Sequence, residues 1–184
     1  MIFPKSGWIY MVKLFLIRRR IRKDLSRLVL VIDIDGVLTD GTFYYGVDGK
    51  VLKRFGPHDA EASALLGSFF KINFISADIR GSEITKLRLA DMGFSLTICS
   101  SDHRRTFIES LQKLGNRVLF LGDSISDLPA LKQADFSFCP NDSLDFVAKQ
   151  VNFRLKTRGG RGTLAELYII LKGASRGVEN FKEF

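Results

Sequence analysis

Apolar and polar positions follow two different periods along this chain. From Leu28 onward, short runs of branched apolar residues alternate with longer stretches in which apolar residues recur every three or four positions. The first pattern is typical of buried strands and the second of amphipathic helices. The apolar runs predict strands over 28–34, 72–76, 95–98, 117–121 and 134–138. The amphipathic stretches predict helices over 59–70, 81–92, 103–114, 126–132, 143–149 and 162–172.

This alternation determines the predicted fold class. The connections are short, and parallel strands need a crossover that a helix supplies. We therefore predict an α/β, Rossmann-like domain, with a parallel sheet and helices on both faces. Residues 42–55 interrupt the alternation with two β-rich runs around Val47-Asp48-Gly49, a pattern that predicts a hairpin flap after the first strand. No insertion is large enough to form a separate cap domain.

Positive charge is concentrated at one end of the chain. The net charge is +8, and residues 1–27 contribute +7 of it through eight basic residues and Asp24. We therefore divide the sequence into a basic N-terminal extension (1–27), a main domain (28–175) and a C-terminal tail (176–184). A charged extension is expected to be solvated or loosely docked. Alternatively, it forms an amphipathic helix that makes a weak contact with an anionic membrane surface.

Two further features of the sequence bear on its location. The apolar stretch Trp8 to Ile17 is too short to span a bilayer, and its charges follow it, the reverse of a secretory signal. The cysteines, Cys99 and Cys139, lack metal-ligand spacing. They are typical of core thiols in a reducing compartment, so we predict a cytoplasmic location.

The strand over 28–34 ends in two acidic residues, Asp33 and Asp35. Side chains two positions apart on a strand point the same way, so this pair projects together at its carboxyl end. Open α/β sheets bind their ligands there. Two buried like charges are costly without a cation or a shared proton, so the pair predicts metal-assisted or acid/base chemistry. Alternatively, one aspartate caps a helix and the other lies in a turn.

Other polar residues follow neighbouring strands and are expected at the same edge of the sheet. They are Ser76, Arg104, Asp123 and Asp127. Carboxylates bind Mg²⁺, while a hydroxyl and a guanidinium hold phosphate oxygens. In such a site, one aspartate attacks phosphorus to form an aspartyl-phosphate and a second carries the proton. The sequence therefore predicts phosphoryl transfer that requires Mg²⁺.

The motifs resemble those of a known group of enzymes. DIDGVLTDG is similar to the first motif of the haloacid dehalogenase superfamily of phosphohydrolases, Ser76 to its second, and GDSISD to its fourth. Three further features narrow the resemblance to one family within this superfamily: the hairpin, the lack of an inserted cap domain and the motif RGGRG at 158–162. Over roughly residues 28–173, the chain resembles the capless 3-deoxy-D-manno-octulosonate 8-phosphate phosphatases and their relatives that act on nine-carbon sugar acid phosphates.

The resemblance implies specific roles for the aspartates. Asp33 is the nucleophile and Asp35 the general acid/base. Mg²⁺ is held by the Asp33 side chain, the Asp35 main-chain carbonyl and the Asp123 side chain, with Asp127 supporting them. The substrate is a small-molecule phosphate ester of a sugar or sugar acid, as in surface polysaccharide synthesis. Such relatives are commonly homotetramers in which a neighbouring subunit closes each site.

The chain also departs from the family pattern. Arg104, with Arg105 beside it, stands where the family usually has a lysine. Alternatively, both arginines are surface residues of a helix without a role in the site. His58-Asp59-Ala60 replaces Arg-Asp-Gly after the hairpin, and Ser76-Ala77-Asp78 replaces Thr-Gly-Arg. We predict that the side chains contacting the non-phosphate part of the substrate are His58, Asp59, Asp78 and Arg161. His58 is alternatively a helix-start residue without a chemical role. These departures indicate a substrate other than the octulosonate ester.

The basic extension and the altered motifs leave two other functions open. One is a catalytically impaired phosphatase-like binding protein, although retention of four aspartates argues against it because idle buried carboxylates destabilise a fold. The other is a nucleic-acid-associated phosphatase that uses residues 1–27 as a basic arm. The main domain has no basic stripe with interleaved aromatic residues. We therefore do not expect nucleic acid as a partner.

Overall fold

The computed structural model of the protein describes residues 5–178, with side chains from residue 8 onward. The strands are β1 (Leu28–Asp33), β2 (Thr39–Gly46), β3 (Gly49–Phe55), β4 (Lys71–Ser76), β5 (Leu96–Ile98), β6 (Arg117–Leu121), β7 (Phe136–Cys139) and β8 (Phe153–Arg154). Six of them form one parallel sheet in the order β5-β4-β1-β6-β7-β8. The predicted fold class is confirmed. The two-residue β8 was not predicted, because it is too short to carry a period.

Helices cover both faces of this sheet. They are α1 (Lys5–Arg22), α2 (His58–Gly67), α3 (Ser82–Asp91), α4 (Ser101–Lys113), α5 (Leu128–Gln133), α6 (Asp145–Ala148) and α7 (Thr163–Ser175). Side chains alternate along β1 because successive residues of a strand face opposite ways. Leu30 and Ile32 belong to the core that contains Leu167 of α7, whereas Val29 and Val31 belong to a second core over α4 and α5.

The N-terminal helix α1 is part of the main core. Leu14, Ile17 and Ile21 of this helix are buried in the cluster that contains Leu167. Their spacing of three and four positions forms one helical stripe. The expectation of a solvated or loosely docked extension is therefore corrected for α1, where this stripe outweighs the high charge. None of the helices within residues 5–178 has the length and apolar character that crossing a membrane requires.

Strands β2 and β3 form the predicted hairpin as a separate antiparallel sheet. Gly46 pairs with Gly49, so the connection is the two-residue turn Val47-Asp48. The outer residues of β3, such as Leu52, are exposed, while Lys53 is buried. Because neighbouring residues on a strand face opposite ways, this alternation directs Lys53 toward the domain.

Candidate active site

Three neighbouring strands bring the polar residues to one edge of the sheet. β1 lies between β4 and β6, with Asp33 opposite Ile75 and Ile32 opposite Leu121. All three strands are parallel, so their carboxyl ends meet. The residues that follow these ends therefore lie close together in space, although they are far apart in sequence.

An acidic cluster occupies this edge. Asp33, Asp123 and Asp127 each contribute a carboxylate oxygen, and these oxygens lie within 4.8 Å of one another. The turn Ile34–Leu38 makes room for Asp123, because Gly36 has a φ of 90°. A Cβ on Gly36 would lie 2.0 Å from Asp123 Oδ2. Only glycine therefore permits this approach of the two motifs.

Asp127 is fully engaged by neighbouring donors. It is completely buried, and its Oδ2 accepts hydrogen bonds from the backbone N–H groups of Asp123 (3.2 Å) and Ser124 (3.0 Å). The Ser124 hydroxyl donates to the same oxygen at 2.7 Å. Its Oδ1 accepts a hydrogen bond from Arg104 Nη1. Asp127 therefore fixes the loop that carries Asp123.

Arg104 lies inside the site. It belongs to the first turns of α4, and only 4% of it is exposed. Its Nη2 lies 2.8 Å from Asp33 Oδ1, while Nη1 contacts Asp127. Its Nε is buried without a hydrogen-bond partner among residues 5–178. The neighbouring Arg105 is exposed and pairs with Glu109 of the same helix. Of the two arginines, only Arg104 reaches the carboxylates.

Burial changes the acidity of two carboxyl groups in the cluster. The pKa of Asp33 is raised to about 7, chiefly by burial; the nearby charges of Asp123 and Asp35 contribute to the rise, and the Arg104 guanidinium opposes it. Burial likewise raises the pKa of Asp123 to about 6. Without a further cation, these two carboxyl groups are therefore protonated to a larger extent at neutral pH than free aspartates are.

A second cluster, of charged side chains, joins the hairpin to the candidate active site. Lys53 Nζ lies 2.8 Å from both Asp35 Oδ1 and Asp78 Oδ2, and it donates to Thr85 Oγ1 at 3.0 Å. Lys50 Nζ donates to Asp78 Oδ2 at 2.7 Å. Burial alone would raise the pKa of Asp78, but the hydrogen bonds from Lys50 and Lys53 lower it to about 2. Asp78 is thus a fixed anion between two lysines.

Ser76 connects the two clusters. Its hydroxyl donates to Asp35 Oδ2 at 3.0 Å and accepts the backbone N–H of Asp78 at 3.0 Å. The carboxylate of Asp35 is therefore held at one oxygen by Ser76 and at the other by Lys53. Sequence reasoning identified Ser76, Asp35 and Asp78 and missed Lys50 and Lys53. One signal in the sequence could have indicated these lysines. Both lie in the second strand of the hairpin, and this hairpin comes directly after the motif that contains Asp35.

The other predicted substrate residues are Asp59, His58 and Arg161, and none of them has a hydrogen bond or ion pair with the acidic cluster among the contacts of residues 5–178. Asp59 is buried, and its carboxylate accepts the backbone N–H groups of Leu164 at 2.8 Å and Gly162 at 3.2 Å. It therefore ties α2 to the beginning of α7. His58 and Arg161 are exposed and line a groove of about 400 Å³ together with Tyr10. None of the four aspartates lines this groove.

The glycine-rich segment 158–162 is a packed loop. The N–H of Gly159 donates to Asp142 Oδ1, that of Gly160 to the Val37 carbonyl, and that of Arg161 to the Arg158 carbonyl. The N–H of Gly162 donates a hydrogen bond to the carboxylate of Asp59. Because these four amides already have acceptors, they are not free to bind an anion. The loop instead supports the turn that follows β1.

The acidic cluster fits a divalent cation. Asp123 Oδ1 is buried and has no hydrogen-bond partner among residues 5–178. An orphaned buried carboxylate oxygen is costly, and Mg²⁺ prefers oxygen ligands of this kind. Asp33 lies beside it, and Asp127 is occupied with holding the loop. Asp33 and Asp123 are therefore the side chains able to hold a cation.

Comparison with known proteins identifies the family. No protein-family model matches the chain. A 3-deoxy-D-manno-octulosonate 8-phosphate phosphatase from Haemophilus influenzae is 30% identical over 143 residues, which are 75% of this chain and 78% of that protein. The chain belongs to the 3-deoxy-D-manno-octulosonate 8-phosphate phosphatase family. The resemblance and the enzyme class predicted from the motifs, a phosphoric monoester hydrolase of haloacid dehalogenase type, are confirmed.

Solved structures agree with this assignment. The cobalt-bound form of the Haemophilus influenzae phosphatase has a TM-score of 0.73 at 25% identity, and the match covers 88% of this chain and 95% of that one. A 3-deoxy-D-manno-octulosonate 8-phosphate phosphatase from Moraxella catarrhalis, determined in complex with magnesium, phosphate and KDO, has a TM-score of 0.71 at 24% identity. That match covers 84% of this chain and 92% of that one, and it supports the fold.

Proposed function

We propose that this chain is a magnesium-dependent phosphatase that hydrolyses the phosphate monoester of a sugar or sugar acid, of octulosonate or nonulosonate type, through an aspartyl-phosphate. The observation that carries the proposal is the juxtaposition of Asp33 with Asp123, whose Oδ1 is buried and lacks a hydrogen-bond partner within residues 5–178. Arg104 pairs with Asp33 but not with Asp123, so two adjacent buried carboxylates at a ligand-binding sheet edge still call for a further cation.

Magnesium would be held by the side chains of Asp33 and Asp123 and by the main-chain carbonyl of Asp35, while Asp127 positions Asp123. Bound there, the ion supplies positive charge that offsets the negative charge of the phosphate oxygens. The donor set supports this assignment, because all of its members are oxygen atoms. The metal-bound phosphatases from Haemophilus influenzae and Moraxella catarrhalis support it too.

Asp33 and Asp35 divide the chemistry between them. A carboxylate oxygen of Asp33 attacks phosphorus, and the bond from phosphorus to the ester oxygen breaks as Asp35 gives that oxygen a proton. The product is a free alcohol and an aspartyl-phosphate. Asp35 then takes a proton from water, whose oxygen attacks phosphorus and releases inorganic phosphate and the Asp33 carboxylate. The two steps return both residues to their starting forms.

Arg104 is the proposed phosphate-binding cation. Its buried Nε has no hydrogen-bond partner within residues 5–178, so this donor remains available to a phosphate oxygen. Its Nη groups meanwhile hold Asp33 and Asp127. A guanidinium offers several donors in one plane, so it can orient the nucleophile and the phosphate together. Ser76 is the second phosphate ligand in this proposal.

Lys53 is a positioning residue for Asp35. Its buried ammonium contacts one oxygen of Asp35, while the Ser76 hydroxyl occupies the other. Together the two contacts hold the Asp35 carboxylate in one orientation beside Asp33. Asp78 in turn holds Lys53 from the opposite side at 2.8 Å.

The sugar part of the substrate distinguishes this chain from its relatives. Asp78 stands where the family pattern has an arginine, and its carboxylate is neutralised by Lys50 and Lys53. The exposed cationic groove at Arg161 adjoins the glycine-rich loop, which contacts the turn after β1 through Gly160. This groove is the proposed binding surface for the acid group. We therefore propose that the octulosonate ester itself is not the preferred substrate.

Phosphate release from a panel of sugar phosphates tests this function. The panel contains 3-deoxy-D-manno-octulosonate 8-phosphate, a nonulosonate 9-phosphate and a neutral hexose phosphate, each with Mg²⁺ and with chelator. The proposal predicts release from an acidic sugar ester that chelator abolishes. Release from none of these esters in the presence of Mg²⁺ would overturn it. A matched Asp33→Asn preparation reports any contaminating phosphatase.

The assembly and the location are also proposals. A homotetramer, in which a neighbouring subunit covers each site, would limit water access in a domain without a cap. Light scattering after gel filtration measures the mass of the assembly directly. A cytoplasmic location is supported by Cys99 and Cys139, which are both buried and unpaired.

A further inference from the structure

The outer face of α1 exposes an unusual amount of apolar surface. Its inner stripe is buried, but Trp8, Val12, Phe15 and Leu16 project away from the core. Trp8 is 70% exposed and Phe15 is 64% exposed. Four large apolar side chains on adjacent turns form a contiguous patch, and patches of this kind on soluble proteins usually mark interaction surfaces.

The same helix carries positive charge at its other end. Arg19, Arg22 and Lys23 are exposed there, and residues 5–23 contain no acidic residue. Arg18 is tied to the domain, because its Nε and Nη2 donate to the carbonyls of Ile170 and Ile169 in α7. The exposed face therefore runs from an apolar half to a basic half, with its orientation fixed by the core.

A groove follows the boundary between α1 and α7. It measures about 470 Å³, and its walls include Met11, Phe15 and Ala174 together with the guanidinium groups of Arg19 and Arg22. The apolar wall suits hydrocarbon, and the guanidinium groups suit phosphate. An amphiphile with an anionic headgroup matches both parts of this surface at once.

We propose that the outer face of α1 docks this protein onto a bilayer that contains anionic phospholipids. The apolar half enters the boundary between headgroups and acyl chains, and Arg19, Arg22 and Lys23 bind lipid phosphates. A second copy of the chain fits this face poorly. A parallel pair of α1 helices would set arginine against arginine, while an antiparallel pair would set arginine against Phe15 and Val12.

Vesicle co-sedimentation of the full chain tests the proposal. One set of vesicles contains equal amounts of phosphatidylcholine and phosphatidylglycerol, and the other contains phosphatidylcholine alone. We expect partition onto the anionic vesicles only. Arg19→Glu/Arg22→Glu should weaken it by at least about 25-fold, since each basic residue near an anionic surface contributes about fivefold. The matched control is Lys113→Glu/Lys132→Glu, which removes the same net charge from exposed positions on α4 and α5.

A second pair of variants tests the apolar half. Phe15→Ser/Leu16→Ser should lower partition by at least about tenfold, while Leu87→Ser/Leu114→Ser, at two exposed positions elsewhere, should not. Equal binding to neutral vesicles, or equal loss in the control variants, would overturn the proposal. So would no vesicle binding together with a multimer that Phe15→Ser/Leu16→Ser dissociates, a result that would assign the face to a second copy. Circular dichroism confirms that each variant is folded.

Discussion

The ammonium of Lys53 lies 2.8 Å from the carboxylate of Asp35, and both side chains come from consecutive parts of the chain that the hairpin folds together. We predict that Lys53→Met lowers kcat by about tenfold to a hundredfold, because Asp35 loses the contact that holds one of its carboxylate oxygens in place. The measurement is kcat with a fixed aryl phosphate and saturating Mg²⁺.

Lys50→Met is the matched control for this experiment. Lys50 contacts Asp78 but not Asp35, so its removal should leave kcat close to that of the wild type. If Lys53→Met and Lys50→Met had the same kcat, Lys53 would have no separate effect on Asp35. Lys53→Arg, which keeps the charge, should recover part of the lost kcat.

Gly36 allows Asp123 to approach the first aspartate motif. We predict that Gly36→Ala weakens Mg²⁺ binding by at least about tenfold, because a Cβ would lie 2.0 Å from Asp123 Oδ2 and displace it. Gly41→Ala is a matched control, since Gly41 also has a positive φ of 77° but its nearest neighbour would lie 3.7 Å away. Calorimetric titration with Mg²⁺ measures both. Equal affinities in the two variants would contradict the assignment of Asp123.

Arg104 is a buried cation between two carboxylates. We predict that Arg104→Met lowers the free energy of unfolding by about 3 kcal/mol, because Asp33 and Asp127 would keep buried charge without a partner. Arg105→Met should change it by less than about 0.5 kcal/mol, since Arg105 forms only an exposed pair with Glu109. Urea denaturation measures both. The stability account fails if the two variants are equally stable.

The raised pKa values of Asp33 and Asp123 predict the pH dependence of stability in chelator. Between the ordinary aspartate value of about 4 and their values of about 7 and about 6, the folded protein holds protons that the unfolded chain has released. Folding is therefore favoured at low pH, and this contribution is lost as the pH rises. The melting temperature should fall over this range, with a shallower slope in Asp123→Asn. Identical slopes in the two proteins would refute this account.

Magnesium should reverse that trend. A cation binds the ionised carboxylates, so its binding releases protons where Asp33 and Asp123 are still protonated. We predict weaker Mg²⁺ binding at about pH 6 than at about pH 8, with proton release visible as a dependence of the calorimetric heat on buffer. An affinity that did not change with pH would mean that these two carboxyl groups are not the ligands.

Features that depend on local periodicity could be predicted from the sequence. Features that depend on contacts between distant parts of the chain could not. The five longer strands of the main sheet follow from apolar runs, and the convergence of Asp33 with Asp123 follows from strand direction. The docking of α1 was missed because its charges obscured the stripe of Leu14, Ile17 and Ile21. A periodicity count over that segment reveals the stripe.

Two residues near the site make contacts that the sequence does not show. Asp59 was predicted to contact substrate, and in the structure its carboxylate accepts the backbone N–H groups of Gly162 and Leu164. Lys53 was overlooked because a lysine on a hairpin is usually solvated. Only the tertiary structure shows that β3 turns Lys53 toward Asp35. Both outcomes depend on partners more than ten residues away in sequence.

Trapping the covalent intermediate tests the central claim most directly. The enzyme is mixed with an aryl phosphate and Mg²⁺, quenched in acid during turnover and digested. The mass of the peptide that contains Asp33 is then measured by mass spectrometry. The account predicts one added phosphoryl group on this peptide at Asp33, and neither adduct nor turnover in a folded Asp33→Asn variant. Normal turnover by Asp33→Asn, or a phosphoryl group on another residue, would contradict it.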